Sequence, residues 1–302
     1  MPYSTYRPEL MGSAVLGGPA EIEAGSMQEL TLVYTCGAFG IDDTGSIKIG
    51  FRFATDMGAV QFTDPAAPGY TTAVTSTGLP LALKWEFKRN IRPWSRSLYV
   101  GVSGDYLSPG DTITIRFGDR REGSPGIRMQ TYCESAFEFR VLVDAIATYD
   151  YVALPESPKV AIVPGAPVHF RAILPTLVRP GVPFALGIKG EDKWRNPADL
   201  SGVALAIRPN PAVRGLPDSV SAGPGARAVR VEGLVLGEPG EHVLEVEANG
   251  AVVRSNPVRV VAGAPLIHAW ADTHGQSNET LGTNTIAEYF EFGRDRAFLD
   301  VI

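Results

Sequence analysis

The sequence predicts a mainly β protein: two consecutive antiparallel β-sandwich domains, then a single β-α-β unit. Three observations predict it. Apolar and polar residues alternate with period two in segment after segment, the mark of strands with one face on a core and one in water. Gly 33 and Pro 24, together about 19% of the 302 residues, supply the turns that many short strands need. The last stretch, Leu266–Ile302, abandons this pattern for helical spacing flanked by two apolar runs.

The first domain is placed at residues 1–153. Leu30, Leu32, Tyr34 and Cys36 share one face, with Thr31, Val33 and Thr35 between them. Ile47, Ile49, Phe51 and Phe53 alternate with Lys48, Gly50 and Arg52, and Leu81, Leu83, Trp85 and Phe87 with Ala82, Lys84 and Glu86. Ile113, Ile115 and Phe117 follow, then Phe137, Phe139, Val141 and Val143. Runs such as Asp42-Asp43-Thr44-Gly45, Ser108-Pro109-Gly110-Asp111 and Gly123-Ser124-Pro125-Gly126 carry turn chemistry between them. The first of these lacks the carboxylate spacing and distal Glu of a calcium loop, so it is expected to be an ordinary turn. In Gly118–Gly123, Arg120 and Arg121 form a paired head able to hold a phosphate or carboxylate bidentately; the plainer role is a solvated hairpin or a charged inter-domain contact. Trp94 is expected to be a packed loop anchor, with stacking on a sugar ring as the alternative.

A proline-bounded run, Leu154-Pro155-Glu156-Ser157-Pro158, is expected to be a linker into a second domain at 154–263. Strands are predicted at Val168–Ile173, Phe184–Lys189, Val203–Ile207, Ala228–Glu232, His242–Ala248 and Ala251–Val261. Their spacing and turns fit an immunoglobulin-like sandwich without the Cys…Trp…Cys signature. His169 and His242 stand alone in strands and are expected to be structural.

Residues 264–302 are the third piece. Ile267, Ala269 and Ala271 take one parity, and His268, Trp270, Asp272 and His274 the other, as a barrel strand would require. Thr285 and Glu288 form a capping box, and Ile286, Tyr289, Phe290, Gly293 and Ala297 a stripe expected to be buried. Phe298–Ile302 begins a second strand, so the crossover implies parallel pairing. The loop before the helix N-terminus favours an anion such as phosphate, with Glu279 a candidate contact. Asp272 and His274 offer ligands to a divalent metal, with Gln276 or Glu279 adding a third; a structural His–Asp pair is the plainer alternative.

This segment resembles the first motif of the PHP (polymerase and histidinol phosphatase) superfamily of metallohydrolases, Asp-Leu-His-x-His-[Ser/Thr], where Asp272-Thr273-His274-Gly275-Gln276-Ser277 stands. It looks closest to a bacterial domain-of-unknown-function branch, whose members have segments similar to Gly40–Gly45, Phe53–Gly58, Asp111–Thr114 and Gly118–Arg120. The resemblance implies a distorted β/α barrel, of which this chain holds only the opening, as the N-terminal part of a longer enzyme. It implies a metal-dependent, phosphoesterase-like hydrolase, with zinc, manganese or iron as cofactor and a small, phosphorylated substrate. His274 matches the first metal-binding His, and Asp272 the acid that orients it. Gln276 departs from the second His and offers a weaker, neutral oxygen. The chain alone is expected to be inactive, with its sandwiches as accessory or assembly modules that flank the barrel or mediate homo-oligomerisation. The competing class is a non-catalytic glycan- or protein-binding tandem sandwich.

The net charge of −6 and the absence of a basic run argue against nucleic acid and anionic membrane as partners. No apolar run is long enough to span a bilayer, and the start lacks a signal peptide's features, so a cytoplasmic location is expected. Cys36 and Cys133 are expected to be reduced, buried thiols.

Overall fold

A computed structural model describes residues 7–302. It is mainly β and divides into two compact units. The first runs to Val163 and takes in Asn278–Asn284; the second comprises Pro164–Ser277 and Thr285–Ile302.

In the first unit, one antiparallel sheet has the strand order Gly12–Gly17, Leu30–Cys36, Thr112–Phe117, Thr71–Thr75. Another has the order Val152–Ala153, Arg140–Asp144, Ser46–Phe51, Arg96–Val102, Leu81–Phe87. Their apolar faces share one core: Leu32, Tyr34, Ile113 and Ile115 from the first sheet, and Ile47, Ile49, Leu98 and Val100 from the second. Alternation in the sequence sets these faces, as the strict buried/half-buried pattern along Leu30–Cys36 shows. Phe51 sits where they meet. Its ring lies 6.0 Å from Phe117 and 5.4 Å from Phe139, both edge-on.

Several expectations for this unit need correction. Lys48, assigned to the watered face, is buried, because Tyr151 covers it: its ring lies 4.4 Å from Lys48 Nζ and its hydroxyl shares a hydrogen bond with Ser46 Oγ. The run Phe137–Val143 is two strands, Glu134–Glu138 and Arg140–Asp144, which join different sheets. The proline-bounded run is no free linker: Leu154 is buried and its N–H donates to Val141 O. Beyond it, Lys159–Val163 pairs antiparallel with Glu134–Glu138 and parallel with Glu21–Glu23, so the unit continues past the boundary drawn at Ala153. Trp94 is a buried anchor, flanked by the guanidinium groups of Arg52 (5.2 Å) and Arg140 (5.0 Å). Cys36 is buried, and burial pushes its thiol up to about 12. Cys133 is only half-buried, and neither cysteine is in a disulfide.

The second unit holds a sheet ordered His169–Ile173, Phe184–Glu191, Ala228–Leu236, Val213–Arg214, with Pro197–Ala198 beside Phe184–Glu191. A second sheet runs Ser219–Val220, Leu205–Ile207, Glu245–Ala248, Ala251–Arg254, and a third joins Leu177–Val178, Val258–Val260 and Gly240–His242. Leu186, Leu200, Leu234, Val246 and Val258 form its core. No helix among the described residues is long and apolar enough to cross a membrane.

The arginine loop is organised from within. Arg121 Nε and Nη2 donate to the two oxygens of Asp119, and Thr72 Oγ1 donates to one of them. The Arg121 hydrogen bonds hold the Asp119 carboxyl well below the usual carboxylate range, against a burial effect that raises it. A depressed folded-state value contributes stability that is present above the unfolded value, about 4, and lost as pH falls below it. Asp119→Asn is therefore expected to flatten the acid limb of the first unit's stability–pH curve. Unfolding titrations between about pH 2 and pH 6 check this, and an unchanged slope refutes it.

Candidate functional site

The candidate site is built on a short turn. The run Leu266–Ala271 is not a strand in the structure, and neither is Phe298–Ile302; one parallel bridge, Ala271↔Val301, joins them. Two parallel segments with no further neighbours cannot fill out a ladder. Trp270 and Asp300 strengthen the junction: Trp270 N–H donates to Asp300 Oδ2 at 2.8 Å, and Asp300 N–H to Trp270 O at 2.9 Å. Leu266, Ile267 and Trp270 are exposed, so the predicted parity does not sort buried from watered side chains here.

Helix α1 spans Ile286–Asp295 and opens on the predicted capping box: Glu288 N–H donates to Thr285 Oγ1 at 3.2 Å, and Thr285 N–H to Glu288 Oε2 at 2.8 Å. That carboxylate fills the place where the sequence suggested an external anion. The helix's apolar stripe is only partly covered. Gly293 is buried against Ile302, while Ile286 and Phe290 are exposed, and Ala297 lies past the helix end. Phe298 rests on Gly187 of the strand Phe184–Glu191, where a Cβ would fall 2.6 Å from its ring.

Within this frame the structure gathers Asp272, His274, Gln276 and Tyr289. Asp272 Oδ1 accepts from His274 N–H and Oδ2 from the Tyr289 hydroxyl, each at 3.0 Å. These two bonds hold the Asp272 carboxyl below its ordinary value. Partial burial, then the neighbouring carboxylate, push the Tyr289 phenol up, so it stays a hydrogen-bond donor. Gly275 allows the close approach: a Cβ there would lie 2.6 Å from the Tyr289 ring. The Gln276 side-chain nitrogen lies 3.2 Å from His274 Nε2.

His274 and Gln276 can supply two donors of the about four a zinc ion takes. Asp272 uses both oxygens to set the turn, which suits an orienting role, though a carboxylate has further lone pairs. Among the described residues, no group of three or more His, Cys, Asp or Glu side chains is placed to hold a metal. Glu279 lies in Asn278–Asn284, which belongs to the first unit; there Arg52 Nη2 donates to the carbonyls of Asn278 and Thr280. Arg120 and Arg121 belong to that unit too, and their guanidinium groups already bond Met27 O, Pro125 O and Asp119. The paired head is thus an internal brace, because its partners lie within a few residues or on the adjoining segment. Tyr289 is the site residue that sequence reasoning missed. Its spacing marked it for a buried stripe, and only its place opposite Gly275 distinguishes it.

No family model and no curated protein matches the chain. Among solved structures it is similar to the Escherichia coli adhesin FdeC, at 14% identity and a TM-score of 0.31, over 84% of this chain and 64% of that one. It is similar also to the Yersinia pseudotuberculosis adhesin InvE, at 12% and 0.25, over 82% and 58% of the two chains. A marsupial T cell receptor gives 11% and 0.30, over 83% and 96%. The chain therefore spans less than two thirds of either adhesin's length. At these scores the likenesses do not bear on what it does.

Proposed function

We propose that this chain is a tandem β-sandwich binding and assembly module without catalysis of its own, and that its last segment, a helix with one bridged turn, is the opening of a PHP-like metallohydrolase barrel. The observation that supports the first part is where polar side chains converge: about a groove of about 540 Å3 on the first sandwich, against two metal donors at the C-terminal turn. The Asp272–Tyr289 clamp supports the second part, since through the His274 backbone N–H it fixes the turn that carries this imidazole. In that reading His274 and Gln276 would bind a divalent metal and Asp272 would orient them. The metal would supply an activated water for phosphoester hydrolysis. The remaining ligands would come from barrel strands encoded after Ile302.

Two measurements test this. The gene is expected to continue past Ile302 with His, Asp and Glu at strand ends, and an end near Ile302 overturns the barrel part. Purified intact protein is expected to carry stoichiometric zinc, manganese or iron, and His274→Ala to lower that content about tenfold or more. Unchanged metal removes His274 from the site. Metal-dependent phosphoesterase activity in the 302-residue chain alone would overturn the module reading.

A further inference from the structure

The outer face of the five-stranded sheet in the first unit carries a groove of about 540 Å3, within the range of small-ligand sites. Its floor is a row of residues in register on three neighbouring strands: Lys48 opposite Tyr99, and Tyr99 opposite Lys84. The next row is small, Ser46, Gly101 and Ala82. Tyr99 uses that space. A Cβ on Gly101 would lie 2.6 Å from the Tyr99 hydroxyl and 2.8 Å from its ring, so the ring lies along its own strand across the glycine.

Two further tyrosines edge the groove. Tyr151 covers Lys48, as described above. Tyr149 is 88% exposed, and its backbone is held at φ 64. The cause is Asp144, a buried carboxylate whose oxygens accept from Thr148 N–H at 2.9 Å and Tyr149 N–H at 2.7 Å. The backbone that carries a large aromatic side chain is thereby held so that the ring is offered to water beside the floor, where hydrophobic burial alone would not keep it.

The polar groups are mixed in sign. Lys48 is buried on a face that points away from the core, with Nζ 3.1 Å from Glu86. Lys84 Nζ lies 5.4 Å from the Tyr99 ring centroid, an exposed cation on a flexible stem that a ligand can displace. Ammonium donors, carboxylate acceptors and tyrosine hydroxyls thus surround aromatic faces. A phosphate or nucleic acid would meet the Glu86 carboxylate as well as the cations Lys84 and Arg89, and a lipid would find too few apolar walls. A pyranose ring fits, because one flat face is apolar and its hydroxyls both donate and accept.

We infer that this groove binds a neutral oligosaccharide, with Tyr99 and Tyr149 as stacking platforms and Lys84 and Glu86 as partners for its hydroxyls. The inference deepens the binding role proposed above by naming its ligand, and it does not depend on the metal-site reading.

The test is a glycan array probed with the 302-residue chain, followed by calorimetric titration of the best neutral oligosaccharide. Saturable binding is expected, weakened about tenfold or more by Tyr99→Ala and by Tyr149→Ala. Gly101→Val, which keeps the ring but removes its seat, is expected to weaken binding as well. Thermal unfolding checks that each variant folds; Tyr149→Ala, at an exposed side chain, serves if Tyr99→Ala does not. A blank array overturns the inference, as does unchanged affinity in the folded variants. Binding confined to anionic glycans and competed by inorganic phosphate also overturns it, marking an anion site. A blank array with no hydrolysis defeats the saccharide alone, whereas metal-dependent hydrolysis by the chain defeats the module reading alone.

Discussion

Phe51→Ala is expected to destabilise the first unit by about 3–5 kcal/mol, the range for removing a buried phenylalanine and leaving a cavity. Phe51 is fully buried and contacts the rings of Trp85, Phe117, Phe137 and Phe139, at centroid distances from 5.4 to 6.1 Å. These residues come from several strands, so no single side chain can swing in to refill the space. With two units in the chain, a single transition is not assured, and the readout must be local. Hydrogen exchange of the Thr112–Phe117 amides in mild urea reports on the first unit, with amides of Phe184–Glu191 as an internal reference. A loss below about 1 kcal/mol would show that the aromatic cluster is not the centre of the core.

Asp192→Ala is expected to cost the second unit about 3 kcal/mol or more, because hydrogen bonds to a charged acceptor are worth about 1.5–3 kcal/mol each. Asp192 is 1% exposed, and its two oxygens accept four hydrogen bonds. The donors are the N–H groups of Gly165, Trp194 and Asn196 and the Asn196 side-chain amide, at 2.8–3.2 Å. Alanine would leave all four facing a void. Asp192→Asn is expected to fall between wild type and alanine, since its amide keeps one acceptor and sets an NH2 group against a donor. Hydrogen exchange of the Phe184–Glu191 amides in mild urea, with those of Thr112–Phe117 as reference, gives the comparison. Equal stabilities for the two variants would mean that the acceptor count does not govern this loop.

What could be read in advance was what short spacing controls. Period two placed Leu30–Cys36 and Thr112–Phe117, and the Thr285/Glu288 spacing placed the start of α1, because each pattern involves neighbours within a turn or a pleat. What could not be read depends on distant partners. Lys48 belongs to water by parity, yet Tyr151, more than a hundred positions later, covers it. Tyr289 belongs to an apolar stripe by spacing, yet its hydroxyl reaches back to Asp272. Arg120 and Arg121 suggested a ligand because a guanidinium pair advertises its donors, whereas the acceptors that occupy them include backbone carbonyls that no side-chain pattern reveals. The Asp272–His274–Gln276 turn was legible as a cluster; the clamp that shapes it was not.

The parallel pairing of Lys159–Val163 with Glu21–Glu23 carries a consequence for how the chain is made. Synthesis runs from the N-terminus, so Glu21–Glu23 emerges long before its partner exists. Until Val163 clears the ribosome, that early strand has an open edge, and unpaired edges recruit other chains. A fragment ended in the Pro155–Pro158 run would keep the edge open for good. Expression of a piece cut at Ala153 is therefore expected to give aggregates, where a piece extended through Val163 stays dispersed.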